Sequence, residues 1–395
     1  MSSRKRSASG APAAPAIHTA GMASPLQHLA ELGQSVWIDY LSRELLRSGG
    51  LARLVRENAV VGVTSNPTIF QQAISHGDAY DEQLRELLPG GLSTKEIFLE
   101  LACADVADAC DLLRPVWEQT GGRDGYVSIE VDPNLAYDTV AQYEEARRLH
   151  GKITRPNVLV KIPATKPGLV AIEDAIAGGR SINVTLVFSV ERYVAVARAY
   201  LEGLGRFQAA GGDVSTVRSV ASFFVSRIDT ETDRRLDALG APTELKGKLG
   251  IANAKLAYER FRQLFSRRNE VWAALAAAGA HPQRCLWAST STKNPAYRDV
   301  LYVEELIGRD TVNTMPEPTL LAFQDHGTVA PTLERGLEEA HRLLEQLKAV
   351  GVDYDDVVKT LEAEGVEKFA HSVSQLHAVL DAKRQTLLAG PRKTR

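Results

Sequence analysis

The chain has 395 residues, with 46 Lys and Arg against 49 Asp and Glu, a formal net charge of −3 with His neutral, and 44% hydrophobic residues. That composition belongs to a chain able to bury a sizeable core and excludes a wholly disordered polymer, while the balanced, interspersed charge excludes a dedicated nucleic-acid binder. No uncharged apolar run reaches the roughly 18 residues needed to cross a bilayer, so small molecules are the expected partners.

Residues 1–24 are rich in Ser, Ala, Pro and Gly and read as a disordered tail. Pro12 and Pro15 interrupt its Ala stretch, which argues against a secretory signal, and Met22 offers an alternative start. Residues 25–385 read as one catalytic domain. Eight runs rich in Val, Ile and Thr recur within it, at Ser35–Tyr40, Ala59–Asn66, Tyr126–Val131, Asn157–Pro163, Ile182–Phe188, Val217–Phe224, Arg284–Thr290 and Thr311–Met315. Helical periodicity separates them, which is the pattern of βα units around parallel strands. Eight units predict an α/β fold, a single (β/α)₈ TIM barrel. No strand leads into G-x-G-x-x-G and no phosphate-loop motif occurs, which disfavours an open nucleotide-binding sheet.

Cys103 and Cys110 sit seven apart in an apolar helical pattern and read as two buried small residues on one face. With Cys285 the only other cysteine and no C-x-x-C pair, neither a disulfide framework nor a zinc site is expected, and a reducing, cytoplasmic setting fits. The nine histidines are dispersed, so no metal and no cofactor is expected. Asp325-His326-Gly327 reads as a turn after the last strand. From Pro331 to about Gln385 the pattern is helical, more than one barrel helix requires, and the surplus should pack on or across an end of the barrel. Residues 386–395 read as a short basic tail.

Because alternate strand side chains point to opposite faces, the parity of polar residues carries information. In VLVKIP, Lys161 shares a face with Leu159 while Val160 and Ile162 point outward. Ser128, Glu130 and Asp132 align in YVSIEVD, and Asn183 and Thr185 in INVTLVF. Gly62, Thr64 and Asn66 align likewise, Asp39 follows Ile38, and Ser222 lies on the face of Val220 and Phe224. A barrel would gather Asp39, Asn66, Glu130, Lys161, Asn183, Thr185 and Ser222 at its mouth. Buried ionisable groups are costly unless paired, so one lysine among carboxylates points to chemistry. A lysine kept from water gives up its proton more readily and attacks ketones as the free amine. The resulting imine permits aldol cleavage without a metal. A structural ion pair between Lys161 and Glu130 or Asp39 remains the alternative.

At these residues the sequence resembles the transaldolases. Gly62-Val-Thr-Ser-Asn-Pro-Thr-Ile-Phe70 is similar to one signature of that family, and Val158-Leu-Val-Lys-Ile-Pro-Ala-Thr165 to its active-site lysine signature. VSIEVDPNLAYD, INVTLVFS, ASFFVSRID and STSTKN follow in the family's order, so the likeness spans Ser35 to Met315. The length resembles the longer bacterial members.

The resemblance implies a (β/α)₈ barrel acting on sugar phosphates in the pentose phosphate pathway, as a monomer or homodimer. By matched position, Lys161 would form the Schiff base and Asp39 would be the acid/base of the aldol step. Glu130 and Thr185 would hold a water that moves protons. Thr64, Asn66, Asn183 and Ser222 would bind the donor's hydroxyls, and Arg227, Ser291 and Lys293 its phosphate. Lys293 stands where many members have arginine, and SFFVSR lacks the proline and glycine of shorter members. Phe224 stands near a tyrosine of related aldolases that release free dihydroxyacetone, and its lack of a hydroxyl favours transfer. A non-catalytic sugar-phosphate-binding barrel is the third reading. For single residues, Asn66 before Pro67 could simply cap a helix. Arg227 would reach the phosphate from a loop or pair on the surface with Asp229, and Lys293 could be a solvated lysine.

Overall fold

The Val-, Ile- and Thr-rich runs form eight parallel strands, β1 (Gln34–Ile38), β2 (Val60–Thr64), β3 (Tyr126–Glu130), β4 (Val158–Pro163), β5 (Ile182–Val187), β6 (Ser219–Phe224), β7 (Arg284–Ala288) and β8 (Thr311–Met315). They close into a barrel in chain order, β8 pairing with β1 through five register pairs from Gln34↔Thr311 to Ile38↔Met315. Helices connect the strands, so the expected TIM barrel is what the sequence builds. The computed structural model describes residues 24–389. The expected N-terminal tail, with Met22, falls outside the described residues except for Ser24, whose hydroxyl caps the first helix.

Several strands end before the expected residue, and the reason is local. At the mouth the chain leaves the ladder to cap the following helix: Asn66 caps Pro67–Ser75, Thr165 caps Lys166–Ala177 and Ser189 caps Val190–Ala209. Asp132 leaves the inner face for the same reason. It caps the turn at Pro133–Leu135 and pairs with Lys95 at 2.7 Å.

Inside the barrel, Trp37 of β1 lies over Gly62 of the neighbouring strand β2. A Cβ on Gly62 would stand 2.4 Å from the indole, so only glycine fits there. Beneath the tryptophan lies a buried polar floor. Arg284, the first residue of β7, donates to Asp124 at 2.9 Å, to the Ser35 hydroxyl at 2.8 Å and to the Arg123 carbonyl at 2.6 Å. Ser35 in turn donates to Asp124 at 2.8 Å, and the Trp37 indole does so at 3.3 Å.

The surplus C-terminal residues form helices Leu337–Ala349 and Tyr354–Ala389, the second running past the expected end at Gln385 into the expected basic tail. The rest of that tail lies outside the described residues. The last helix buries Leu361, Gly365, Phe369, Ser372, Leu376 and Leu380, a stripe of threes and fours along one face. That face crosses the C-terminal end of the barrel, against helices Pro67–Ser75 and Ser226–Ala238 and against β5. Gly365 allows the close approach: a Cβ there would meet Leu186 at 3.1 Å and Phe188 at 3.4 Å.

Cys103, Cys110 and Cys285 are buried free thiols. Among the described residues no helix is long and apolar enough to cross a membrane. Asp325 and His326 close the helix Glu317–His326 instead of forming a turn at the mouth, and His326 contacts Asp299 at 2.9 Å on the surface.

Candidate active site

Register places Glu130, Lys161 and Asn183 side by side on β3, β4 and β5. The Lys161 ammonium lies 3.0 Å from Glu130 Oε2, the two side chains 5% and 3% exposed, and donates to the Ser65 carbonyl at 3.0 Å. The approach to Oε2 is close enough to pair charges but off the hydrogen-bonding direction. Oε2 therefore has no directed partner in the protein, and neither does the buried hydroxyl of Thr185 on β5.

Asp39, just past β1, is anchored by its own N–H to the Met315 carbonyl at 2.8 Å and accepts from the Thr64 hydroxyl at 2.6 Å. Thr314 of β8 supports Thr64 at 2.7 Å. On the other side of Lys161, Ser222 donates to Asn183 at 2.7 Å and Asn183 to the Ser128 hydroxyl at 3.0 Å. Parity therefore placed these polar side chains on the correct face. Asn66 is committed differently: its Oδ1 accepts from Ile69 N–H at 3.1 Å, so the capping role is real.

Arg227 departs from the expected loop. It sits in the first turn of helix Ser226–Ala238, its guanidinium 5.0 Å from the Phe224 ring and 5.7 Å from that of Phe369. It makes no surface pair with Asp229, which is buried and accepts from Gly250 N–H at 2.7 Å and the Tyr302 hydroxyl at 2.9 Å. Lys293, on the loop after β7, donates to Ser291 at 2.6 Å. Phe224 is buried at the end of β6 and packs on Phe188 with ring centroids 5.4 Å apart.

Electrostatics tie these pieces into one site. Burial pushes the Asp39 carboxyl above the usual carboxylate range against the pull of Lys161, Thr64, Arg227 and Lys293. Glu130 is raised for the same reason, against Lys161 and with Asp39 adding to the rise. Two carboxyls with raised proton affinity beside one amine suit proton transfer. Among the described residues no cluster of three or more His, Cys, Asp or Glu side chains could hold a metal ion. The residues missed from sequence are Ser65 and Thr314, which orient the site, and Phe369 of the last helix; Ser128, on the face of Glu130 by parity, gains a role as the acceptor of the Asn183 amide. Ser65 and Thr314 lie on or beside the inner-face parity, whereas no local pattern marks Phe369.

The family model described as transaldolase/fructose-6-phosphate aldolase matches residues 36–380. The chain belongs to that family. It is 52% identical over 369 residues to a transaldolase of Parafrankia sp. (strain EAN1pec), covering 93% of this chain and 99% of that protein. It is also 52% identical over 371 residues to a transaldolase of Thermobifida fusca (strain YX), 93% of this chain and 100% of that protein. With transaldolase 2 of Streptomyces avermitilis the identity is 50% over 369 residues. The family's span takes in β2 to β8, all but the first two residues of β1 and most of the helix across the mouth.

Proposed function

We propose that this chain is a transaldolase, a transferase of the pentose phosphate pathway working in the cytoplasm through a Schiff base on Lys161. It would move a dihydroxyacetone unit from sedoheptulose 7-phosphate to glyceraldehyde 3-phosphate, giving erythrose 4-phosphate and fructose 6-phosphate. The observation that carries this reading is the buried Lys161 ammonium 3.0 Å from Glu130, with the Asp39 carboxyl within its field.

Glu130, its proton affinity raised by burial, takes a proton from the ammonium and frees the amine. The amine adds to the donor's ketone to give a carbinolamine. Proton return through a water held by Glu130 Oε2 and the Thr185 hydroxyl, two buried oxygens of the site without a directed hydrogen bond, expels water and leaves a protonated imine. Asp39 then accepts the hydroxyl proton as the adjacent carbon–carbon bond breaks toward the imine, which becomes an enamine. The enamine attacks the acceptor aldehyde, Asp39 returns the proton to the new hydroxyl, and hydrolysis restores Lys161. Thr64, Asn66, Asn183 and Ser222 orient the donor's hydroxyls, while Arg227, Ser291 and Lys293 hold its phosphate. Phe224 brings no hydroxyl to the pocket, which favours transfer over release of free dihydroxyacetone.

Borohydride reduction of the protein with fructose 6-phosphate, followed by intact mass and peptide mapping, tests the reading. A dihydroxyacetone-sized adduct confined to the Lys161 peptide is expected, with turnover dependent on an aldose acceptor. Turnover without an acceptor would make it an aldolase. Absence of an adduct from folded protein that binds the ketose would leave a binding barrel. Light scattering separates monomer from homodimer.

A further inference from the structure

We infer that the hydrogen bond from Tyr297 to Asp233 latches the loop after β7 onto the helix that begins with Arg227, making these two side chains positioning residues for the substrate phosphate. The inference rests on the transaldolase reading, which gives that phosphate to Arg227, Ser291 and Lys293, and extends it to what holds those three in register.

The loop needs an anchor. Lys293, Asn294, Pro295 and Ala296 are exposed, so packing in the core does not fix them, and a phosphate ligand on such a segment is only as well placed as the ties at its ends. Both ends are tied to the same element, helix Ser226–Ala238, whose first turn carries Arg227. At the start, Ser226 N–H donates to the Ser289 carbonyl at 3.0 Å and the two hydroxyls lie 2.8 Å apart. Ser289 has φ +56°, a left-handed conformation that a residue with a side chain keeps only where its surroundings impose it. At the end, the Tyr297 hydroxyl donates to Asp233 Oδ2 at 2.5 Å, the length of a charge-assisted bond. Ser226 and Asp233 are seven residues apart, two turns along one face of the helix. Ser291 and Lys293 lie between the two ties.

The latch itself is closely built. Asp233 Oδ1 accepts from Gly247 N–H at 2.9 Å while Oδ2 takes the tyrosine, so each carboxylate oxygen has its own donor. The Tyr297 ring packs on Gly247, where a Cβ would stand 2.7 Å from Tyr297 Cζ. One turn earlier on the same helix, Asp229 repeats the arrangement with Gly250 N–H and the Tyr302 hydroxyl, fully within the core. The inner pair holds the helices together. The outer pair is half-buried and ends on the loop, so it can act on the loop without carrying the fold.

Between the tyrosine and the lysine there is little slack. The Asn294 carbonyl accepts from Tyr297 N–H at 3.0 Å and its Oδ1 accepts from Ala296 N–H at 2.9 Å, which closes Asn294-Pro295-Ala296-Tyr297 into a turn with proline at its second position. Lys293 immediately precedes that turn, and its ammonium reaches back to the Ser291 hydroxyl at 2.6 Å. A shift of the Tyr297 ring is therefore handed on to Lys293 and Ser291. The Arg227 end stays where β6 and its helix put it, so losing the latch misaligns one side of the phosphate site against the other.

The test is Tyr297→Phe, which keeps the ring on Gly247 and removes only the hydroxyl. It should raise the KM for fructose 6-phosphate about fivefold with kcat within about twofold, the scale of one lost hydrogen bond. Inhibition by inorganic phosphate should weaken to match, and kcat/KM for unphosphorylated fructose should stay unchanged. Asp233→Asn keeps an oxygen for Gly247 and offers its amide to the tyrosine oxygen, so it should stay within about twofold of wild type. Because the two residues act through one bond, Tyr297→Phe combined with Asp233→Ala should lose no more than Asp233→Ala alone. An unchanged KM for fructose 6-phosphate in Tyr297→Phe overturns the inference. So does an equal loss on fructose, which would mark general damage to the fold, and so do additive losses in the double variant. Borohydride trapping in the wild-type protein tests the other level: no adduct at Lys161 removes the catalytic reading, whereas calorimetric titration of inorganic phosphate into wild type and Tyr297→Phe still reports on the latch. Equal phosphate affinity in the two proteins, or none in wild type, removes the latch.

Discussion

Two buried charge clusters occupy opposite ends of one barrel, and they differ in a single respect. At the floor, Arg284, Asp124, Ser35 and Trp37 saturate one another, and the guanidinium also finds the Arg123 carbonyl. At the mouth, Glu130 Oε2 and Thr185 Oγ1 lack directed partners, Asp39 and Glu130 hold protons more tightly than free carboxyls, and Arg227 and Lys293 act on Asp39 without forming an ion pair with it. A saturated cluster has nothing left to offer a ligand; an unsaturated one at the C-terminal ends of the strands does. The lesson is that burial of charge alone does not mark a site, and neither does unused bonding capacity alone, which the buried amides of Gln34 and Gln283 also have; the mouth joins the two at the C-terminal ends of the strands.

Substitutions at each end can break this contrast, taken from the largest expected effect to the smallest. Lys161→Ala should lower turnover at least about a thousandfold, since no other amine can form the imine, while thermal melting shifts little; retained turnover in steady-state assays would refute the nucleophile. Arg284→Ala should do the reverse, costing about 3–5 kcal/mol of stability by stranding Asp124, as read by urea unfolding, with kcat of the folded fraction near wild type. Glu130→Gln should slow imine formation by about two to four orders of magnitude, the usual worth of a proton-transferring group. Stopped-flow trapping at the wild-type rate would end the proton-transfer role.

A third buried carboxylate sharpens the contrast by pH. Asp229, bonded to Gly250 N–H and Tyr302, is pushed by burial from an ordinary 3.8 up to about 7. The folded chain therefore holds this proton where the unfolded chain releases it. Stability from this group is complete below the unfolded value and is lost as pH climbs toward 7, at up to about 1.4 kcal/mol per pH unit. Asp229→Asn keeps an acceptor for Gly250 and should flatten that slope in urea titrations on either side of the window. An unchanged slope would place the titration elsewhere.

Much of the site was legible because a strand has a period of two, and one inward lysine at position 161 fixes the faces of its neighbours. The same rule applied to RCLWA puts Arg284 inward as well, yet Arg284 is the first residue of its strand and Lys161 the fourth of its own. Position along the strand, not parity, separates floor from mouth. Strand ends were less legible because Asn66, Asp132 and Ser189 answer to the next helix, not to the ladder. The placement of Arg227 in a helical turn, and of Phe369 over the mouth, depends on how distant elements dock, which no local spacing encodes.

The order in which the chain leaves the ribosome gives the last helix a further meaning. The barrel cannot close until β8 is made, because β1 has no other second neighbour. The mouth is not covered until Phe369 follows. A chain halted between those points would have all eight strands, Lys161 among them, and no helix above the mouth. The end of the barrel that carries the candidate site is therefore the last part of the fold to be completed, because its cover is the last element of the chain.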